Sequence, residues 1–241
     1  MRLRMMLISL LLVSSLIFLF SCDSSKPKEY RIGLSINLTG TGGLSGEYIR
    51  DGAMLAVQEI NQRGGINNRP IKLLIEDDKG TKEGALEADK RLIDNGVIAI
   101  IGHSQSDTTL AAHPYVMSKN TLLITGYSAT KRLSAMDDLF FRISVDTVSY
   151  GIAMANHLKA KKINSVAFLA DFTNKAFGEE FYEETKKNIA LREKLLTIQS
   201  KELDKLDEIV SDIIKFNPQA VCFLTEVTRT GIVAQKLRQK G

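Results

Sequence analysis

The chain is predicted to be an α/β protein of two lobes, each a parallel sheet flanked by helices. Three observations predict this. From Tyr30 onward, short runs of β type alternate with longer helical stretches. Several of the short runs are apolar enough to be buried on both faces, as strands of a parallel sheet are. The alternation then restarts after the run Phe140 to Ile143, so that one sheet ends and another begins. Strict alternation implies right-handed crossovers and helices on both sheet faces. With 241 residues, 44% hydrophobic and 25% charged, the sequence is long and apolar enough to bury cores for two such units.

In the first lobe, expected over residues 30–145, Tyr30 to Asn37 alternates like a strand, and Ile71 to Ile75, Val97 to Ile101 and Thr121 to Ile124 are apolar throughout. Helices are expected between them over Gly46 to Arg63, Thr81 to Asn95 and Ser104 to Ser118. The first of these carries Ile49, Ala53, Ala56 and Ile60 on one stripe and ends at Gly64 and Gly65, a permissive C-cap. In the second lobe, expected over residues 146–241, the order is helix Val148 to Leu158, strand Ser165 to Ala170 and helix Lys175 to Ile189. Strand Leu195 to Gln199, helix Leu203 to Lys215, strand Ala220 to Leu224 and helix Arg229 to Gln239 complete it. Leu203, Leu206, Ile209, Val210, Ile213 and Ile214 share one helical face. The crossing between lobes is expected near Arg142 to Thr147.

The N-terminus has a different character. Arg2 and Arg4 precede an uncharged run from Met5 to Phe20, followed by Ser21, Cys22 and the polar stretch Asp23 to Glu29. A basic segment, a short apolar one and a small residue before a cut read as a secretory signal. A spanning helix needs about 20 apolar residues, and this run is shorter and interrupted by Ser9, Ser14 and Ser15. Cys22 at the cut resembles a bacterial lipoprotein signal, in which that cysteine is lipidated and becomes the first mature residue. Residues 23–29 would then be a tether, and the protein would be exported and held at a membrane face, periplasmic or on the outer side of the cytoplasmic membrane, without spanning it. Cys222 is the other cysteine, inside the apolar run Ala220 to Leu224, and reads as a core residue without a disulfide. Removing residues 1–22 leaves 30 basic against 28 acidic residues, which argues against a nucleic-acid partner.

Ligands of open α/β sheets bind beyond the carboxyl ends of the strands, where helix N-termini present unpaired N–H groups. Four strand ends here carry polar segments, hydroxyl-rich at Asn37 to Gly46, Ser104 to Thr109 and Thr125 to Thr130 and acidic at Glu76 to Asp78. Ser106 or Asp107 alone reads equally as a helix cap, but four such loops on one edge favour a site.

Taken in order, these elements resemble a known family. They comprise the glycine-rich loop with Arg50 to Asn61, Arg63 to Asn67, Glu76 to Asp78, Val97 to His103 with its serine loop, and Tyr127 to Thr130. Phe141 to Ser144 with Asp146, and Asp171 with Lys175 to Glu179, follow. The set is similar to the periplasmic branched-chain amino-acid (Leu/Ile/Val) binding proteins, type I solute-binding proteins of ABC transporters, and the likeness runs from Tyr30 to Gly241. The resemblance implies the two-lobed periplasmic-binding-protein type I fold, closing on a small ligand that is often a hydrophobic amino acid. It implies that Ser106 binds the ligand carboxylate with N–H groups near Thr130, and that Ser128 and Ala129 lie against the ammonium. Phe177 would cover the ligand from the second lobe, with core packing as the alternative role. Tyr127 and Ser45 are further candidates, and Glu226 is positioned to face the cleft. Family members continue past the point matching Gly241, so the second lobe and the hinge crossings are expected to be incomplete and the protein to be truncated at its C-terminal end.

Other chemistries find little support. Gly40 to Gly46 would need glycine at position 45 to be a dinucleotide loop, and Ser45 stands there. His103, His113 and His157 lack metal-ligand spacing, Glu76 to Asp78 lack an EF-hand pattern, and no serine sits in a nucleophile elbow. The function expected is a non-enzymatic, extracytoplasmic lipoprotein without cofactor that captures a small amino acid or amide-like solute for an ABC permease. A ligand sensor of the same fold, or a truncated copy without function, is the alternative.

Overall fold

The computed structural model describes residues 29–40, 42–199 and 205–240. The expected signal, Cys22 and Leu203 lie outside them. Among the described residues, fifteen strands and α-helices follow one another as predicted. The first nine are β1 (Tyr30–Ile36), α1 (Gly43–Gln62), β2 (Ile71–Asp77), α2 (Lys82–Asp94), β3 (Ala99–Ile101), α3 (Ser106–Ser118), β4 (Leu122–Thr125), β5 (Phe140–Arg142) and α4 (Thr147–Ala160). The remainder are β6 (Ser165–Asp171), α5 (Lys175–Asn188), β7 (Arg192–Ile198), α6 (Leu206–Phe216), β8 (Ala220–Leu224) and α7 (Val227–Lys240).

Two parallel sheets result, β2-β1-β3-β4-β5 and β7-β6-β8. In each, successive connections run to opposite sides of the first strand. The crevice where strand order reverses therefore opens between β1 and β3 in the first sheet and between β6 and β8 in the second.

The second sheet is the more fully covered. Every residue of β6 is buried. One of its faces packs Ala167 and Leu169 against Leu206, Ile209, Val210 and Ile213 of α6 and Val233 of α7. The other packs Val166, Phe168 and Ala170 against Leu158 of α4 and Phe181 and Tyr182 of α5. The predicted apolar stripe of α6 is this contact, except that Ile214 is 41% exposed at its margin.

The first sheet departs from the expectation of strands buried on both sides. Ile100 and Leu123 are fully buried and pack with Leu92 of α2 and Val116 of α3. Their neighbours Ile101, Ile124 and Phe141 form the row on the opposite face; the first two are half-buried and Phe141 is 55% exposed. Right-handed crossovers explain the difference: α2 and α3 fall on one face and α1 on the other, where α1 lies against β1 and β2. The expected stripe of α1 is correspondingly shallow. Ile49, Ala53 and Ile60 are half-buried and Ala56 is exposed. Only Gly43 and Gly46 of that helix are buried. Among the described residues no helix is long and apolar enough to cross a membrane.

Candidate functional site

A cleft of about 290 Å³ opens where the two crevices face one another. The loop after β1 brings Asn37, Gly42 and Ser45 to it, the loop after β3 brings Ser104 and Gln105, and the turn after β4 brings Tyr127. The second sheet contributes Asp171, Thr173, Asn174 and Phe177 from the end of β6 and the start of α5, and Leu224, Thr225 and Glu226 from the end of β8. Aromatic and aliphatic walls carrying a few polar groups are what a small-molecule site requires.

The glycine-rich loop serves close packing. Gly42 has φ +87°, and a Cβ on Gly46 would sit 1.7 Å from the carbonyl oxygen of Asn37. Asp77 ties the same loop down by accepting hydrogen bonds from the Leu38 and Lys79 amides, both at 2.9 Å, and from the Thr39 hydroxyl. Burial opposes ionisation of Asp77, but these hydrogen bonds outweigh it and hold the carboxyl below its usual pKa. Asp77 thus has a structural role at the end of β2.

The residues assigned by resemblance divide into two groups. Ser45, Tyr127, Phe177 and Glu226 line the cleft. Tyr127 is 60% exposed. Phe177 also packs in an aromatic cluster, 6.2 Å from the Tyr150 ring and 5.8 Å from that of Phe181. Glu226 accepts hydrogen bonds from the amides of Thr228 at 2.8 Å and Arg229 at 2.6 Å, at the start of α7. Ser106, Ser128, Ala129 and Thr130 are instead buried outside the lining. The Ser106 hydroxyl accepts from the amides of Ala129 and Thr130, both at 3.2 Å, joining the α3 terminus to the turn after β4.

Sequence reasoning missed the groups that occupy this edge. Gln105 precedes α3 but its side chain does not cap the helix. The cap comes from the other sheet: Asn174 Oδ1 accepts from the Ser106 amide at 3.0 Å and the Asp107 amide at 3.2 Å. Asn174 in turn precedes α5 without capping it, and the Ala176 amide donates instead to Asp107 at 2.7 Å. Each helix therefore receives its missing cap from the other. Lys82 lies 3.0 Å from the second oxygen of Asp107. Behind Asp171, the buried Arg229 guanidinium donates to its carboxylate. An asparagine just before a helix is the one local signal Asn174 offered, and it reads as a cap for its own helix.

Glu180 of α5 makes a second bridge. Its carboxylate accepts from the Thr130 hydroxyl at 2.8 Å, the Lys131 amide at 2.8 Å and the Thr147 hydroxyl at 2.7 Å. Close by, Glu184 accepts from Lys131 at 2.5 Å and Lys187 at 2.7 Å, and these hydrogen bonds hold its carboxyl below the usual pKa. Both bridges tie α5 to the ends of the first sheet.

A bilobed α/β frame with its cleft at two facing crevices defines a type I solute-binding protein. Residues 29–196 match the family of periplasmic binding proteins. The chain belongs to that family, which is one of solute-binding proteins and not of enzymes, and its curated relatives include proteins named for leucine, isoleucine and valine binding, the branch that the sequence resembles. It is 26% identical over 172 residues to the leucine-, isoleucine-, valine-, threonine- and alanine-binding protein of Pseudomonas aeruginosa, covering 70% of this chain and 46% of that one. It is 30% identical over 165 residues to Leu/Ile/Val-binding protein homolog 1 of Brucella abortus, covering 66% and 43%. Among solved structures, LivJ of Streptococcus pneumoniae in complex with isoleucine superimposes with a TM-score of 0.81 at 20% identity, over 89% of this chain and 62% of that one. The leucine-binding protein LivK of Thermotoga maritima gives 0.76 at 22%, over 88% and 61%. The chain spans about half the length of the curated relatives it matches.

Proposed function

We propose that this protein is the extracytoplasmic solute-binding component of an ABC importer. In this reading a lipid on Cys22 holds it at a membrane face. It captures a small amino acid or amide-like solute between lobes formed by residues 30–145 and 146–241, and hands the solute to a permease.

The observation that carries the reading is the position of the cleft, at the crevices of both sheets at once, with Tyr127 and Phe177 as facing aromatic walls. Ser45 and Glu226 supply polar contacts from either side. The Ser106 hydroxyl with the amides of Ala129 and Thr130 forms a buried polar network behind the first-sheet wall, and the Ser128 amide joins it to Thr125. The names of the relatives, which speak of leucine, isoleucine and valine, favour a solute of that size.

Thermal melts against a panel of free amino acids and small amides test the proposal, because a ligand that binds only the native state raises the midpoint, increasingly so as its concentration exceeds Kd. One compound class is expected to shift the midpoint, and Tyr127→Ala, at an exposed position, is expected to reduce the shift while leaving the unliganded melt in place. Ser106→Ala removes the acceptor for two amides and is expected to lower the unliganded midpoint as well. A cooperative melt that no compound moves would sink the proposal.

A further inference from the structure

We infer that the reciprocal caps of α3 and α5 are a latch on the cleft. Asn174 and Asp107 hold one rim closed, and their joint release lets the two sheets part about the Glu180 bridge and admits the solute. The inference rests on the solute-binding reading for what the latch serves, and its test needs no solute.

The buried apolar clusters each belong to one sheet: Leu92, Val97, Ile100, Val116 and Leu123 to the first, and those on the two faces of β6 to the second. What joins the sheets is therefore polar, and units joined by a polar interface move relative to one another by default. Among the described residues the chain passes between them once, over residues 143–146, from the end of β5 to the start of α4. The polar bridges fall in two places. Glu180 and Glu184 hold Thr130, Lys131 and Thr147, and the Thr147 amide donates to the Ala129 carbonyl at 2.8 Å, so this bridge lies beside the crossing. Asn174 precedes Glu180 by about 9 Å along α5, at 1.5 Å per residue. It lines the cleft, as does Gln105 at the start of α3. Rotation about the crossing can leave Glu180 in place, but it must break the contact at Asn174.

That contact makes and breaks as a unit. Asn174 Oδ1 accepts from the Ser106 and Asp107 amides, and the Asp107 carboxylate accepts from the Ala176 amide. Asp107 is thus donor in one direction and acceptor in the other. Neither helix has a side-chain cap of its own, so separating α3 from α5 uncaps both at once. Lys82, at the start of α2 in the first lobe, holds the other oxygen of Asp107 at 3.0 Å and stays with it when the sheets part. Three hydrogen bonds of ordinary length form a contact that opens locally, without unfolding either sheet.

Hydrogen exchange resolved to single amides by NMR, in the full-length protein, reads the latch. The Ser106, Asp107 and Ala176 amides are expected to share one protection factor within about threefold, because a single opening exposes all three, and to fall at least about tenfold below the amides of β6. In Asn174→Ala the Ser106 and Asp107 amides lose their acceptor, whereas Ala176 keeps Asp107. A latch nevertheless predicts that Ala176 exchanges at least about tenfold faster, since two of the three hydrogen bonds opposing the opening are gone. The Lys131 amide, held by Glu180, is expected to keep its rate. A purely local cap would leave Ala176 unchanged, and that result would overturn the inference. Equal acceleration at Lys131 would overturn it too, because the sheets would then separate without a pivot. If the variant does not fold, the unaltered protein decides: protection factors that differ by more than about tenfold among the three amides mean independent caps and overturn the latch. Melts that no compound moves would sink the solute-binding reading and leave the exchange result standing.

Discussion

Replacing Glu180 tests how firmly the two sheets are joined. The side chain is 5% exposed, on a helix packed against the second sheet, and its hydrogen bonds go to Thr130, Lys131 and Thr147, in the segment that leaves the first. Thr130 and Thr147 are themselves fully buried. In Glu180→Ala three donors lose a charged acceptor where water does not readily enter. Each such donor left unsatisfied costs about 1–3 kcal/mol. The Arg132 guanidinium, 3.0 Å from Glu180 but 54% exposed, adds little because solvent screens it. Partial rescue is expected, since the Thr147 hydroxyl also accepts from the Lys131 amide at 3.3 Å and both hydroxyls can rotate. The net loss is therefore set near 3–5 kcal/mol, the range for breaking a buried charged contact from one side. Glu180→Gln keeps the shape but turns an NH₂ toward donors, and is expected to cost about half as much. The assay is urea unfolding followed by far-ultraviolet dichroism and by tyrosine fluorescence. With a slope of about 2 kcal/mol/M, the alanine variant's midpoint falls by roughly 2 M. Because the contact joins the sheets, the two probes are also expected to separate, a departure from two-state unfolding. A loss below about 0.5 kcal/mol with coincident probes, the size of an ordinary surface substitution, would refute the reasoning.

Two further predictions concern buried titratable groups. Burial pushes the His103 pKa down, but the carboxylates of Asp89, 3.3 Å away, and Asp78 outweigh burial and raise it above the ordinary value. Stability from this group is therefore complete below about pH 6.5 and declines as pH rises through the folded pKa. Burial raises the pKa of Asp78 too, so that group acts in the same direction in a more acidic window. His103→Asn is expected to flatten the fall of the urea midpoint above pH 6.5, and an unchanged slope would show that the imidazole does not charge on folding. Burial alone pushes the Cys222 thiol up to about 12, which leaves almost no thiolate near pH 8. Iodoacetamide is expected to label Cys222 at least tenfold more slowly in the folded than in the urea-unfolded protein, as mass spectrometry would read; equal rates would contradict its packing against the α4 and α5 side of β6.

The order of elements could be read from the sequence because its cause is local. The stripe of Leu206, Ile209, Val210 and Ile213 has no other use than a helix laid on a sheet, and the structure lays it there. Errors at the ends have causes that one segment does not carry. β7 starts at Arg192, three residues before the expected Leu195, because Arg192, Glu193 and Lys194 pair with β6 at a sheet edge. Their charges find partners there: Glu193 accepts from Tyr182 and Lys194 donates to Asp212. α1 starts at Gly43 instead of Gly46, since both glycines pack on carbonyls of the preceding loop, a contact that helix propensity does not encode.

The candidate site divides along the same line. Ser45, Tyr127 and Glu226 could be placed at the cleft because each follows a strand whose carboxyl end is legible from the apolar run before it. The burial of Ser106 was not legible, since the group that caps its helix lies 68 residues away in sequence. A serine at the start of a helix reads the same whether a solute or an asparagine from another sheet completes its hydrogen bonds, because both present an oxygen to the same two amides. The sequence therefore indicates an edge built to bind an acceptor. Only the meeting of α3 with α5 decides which acceptor it is, and here it is the Asn174 side chain.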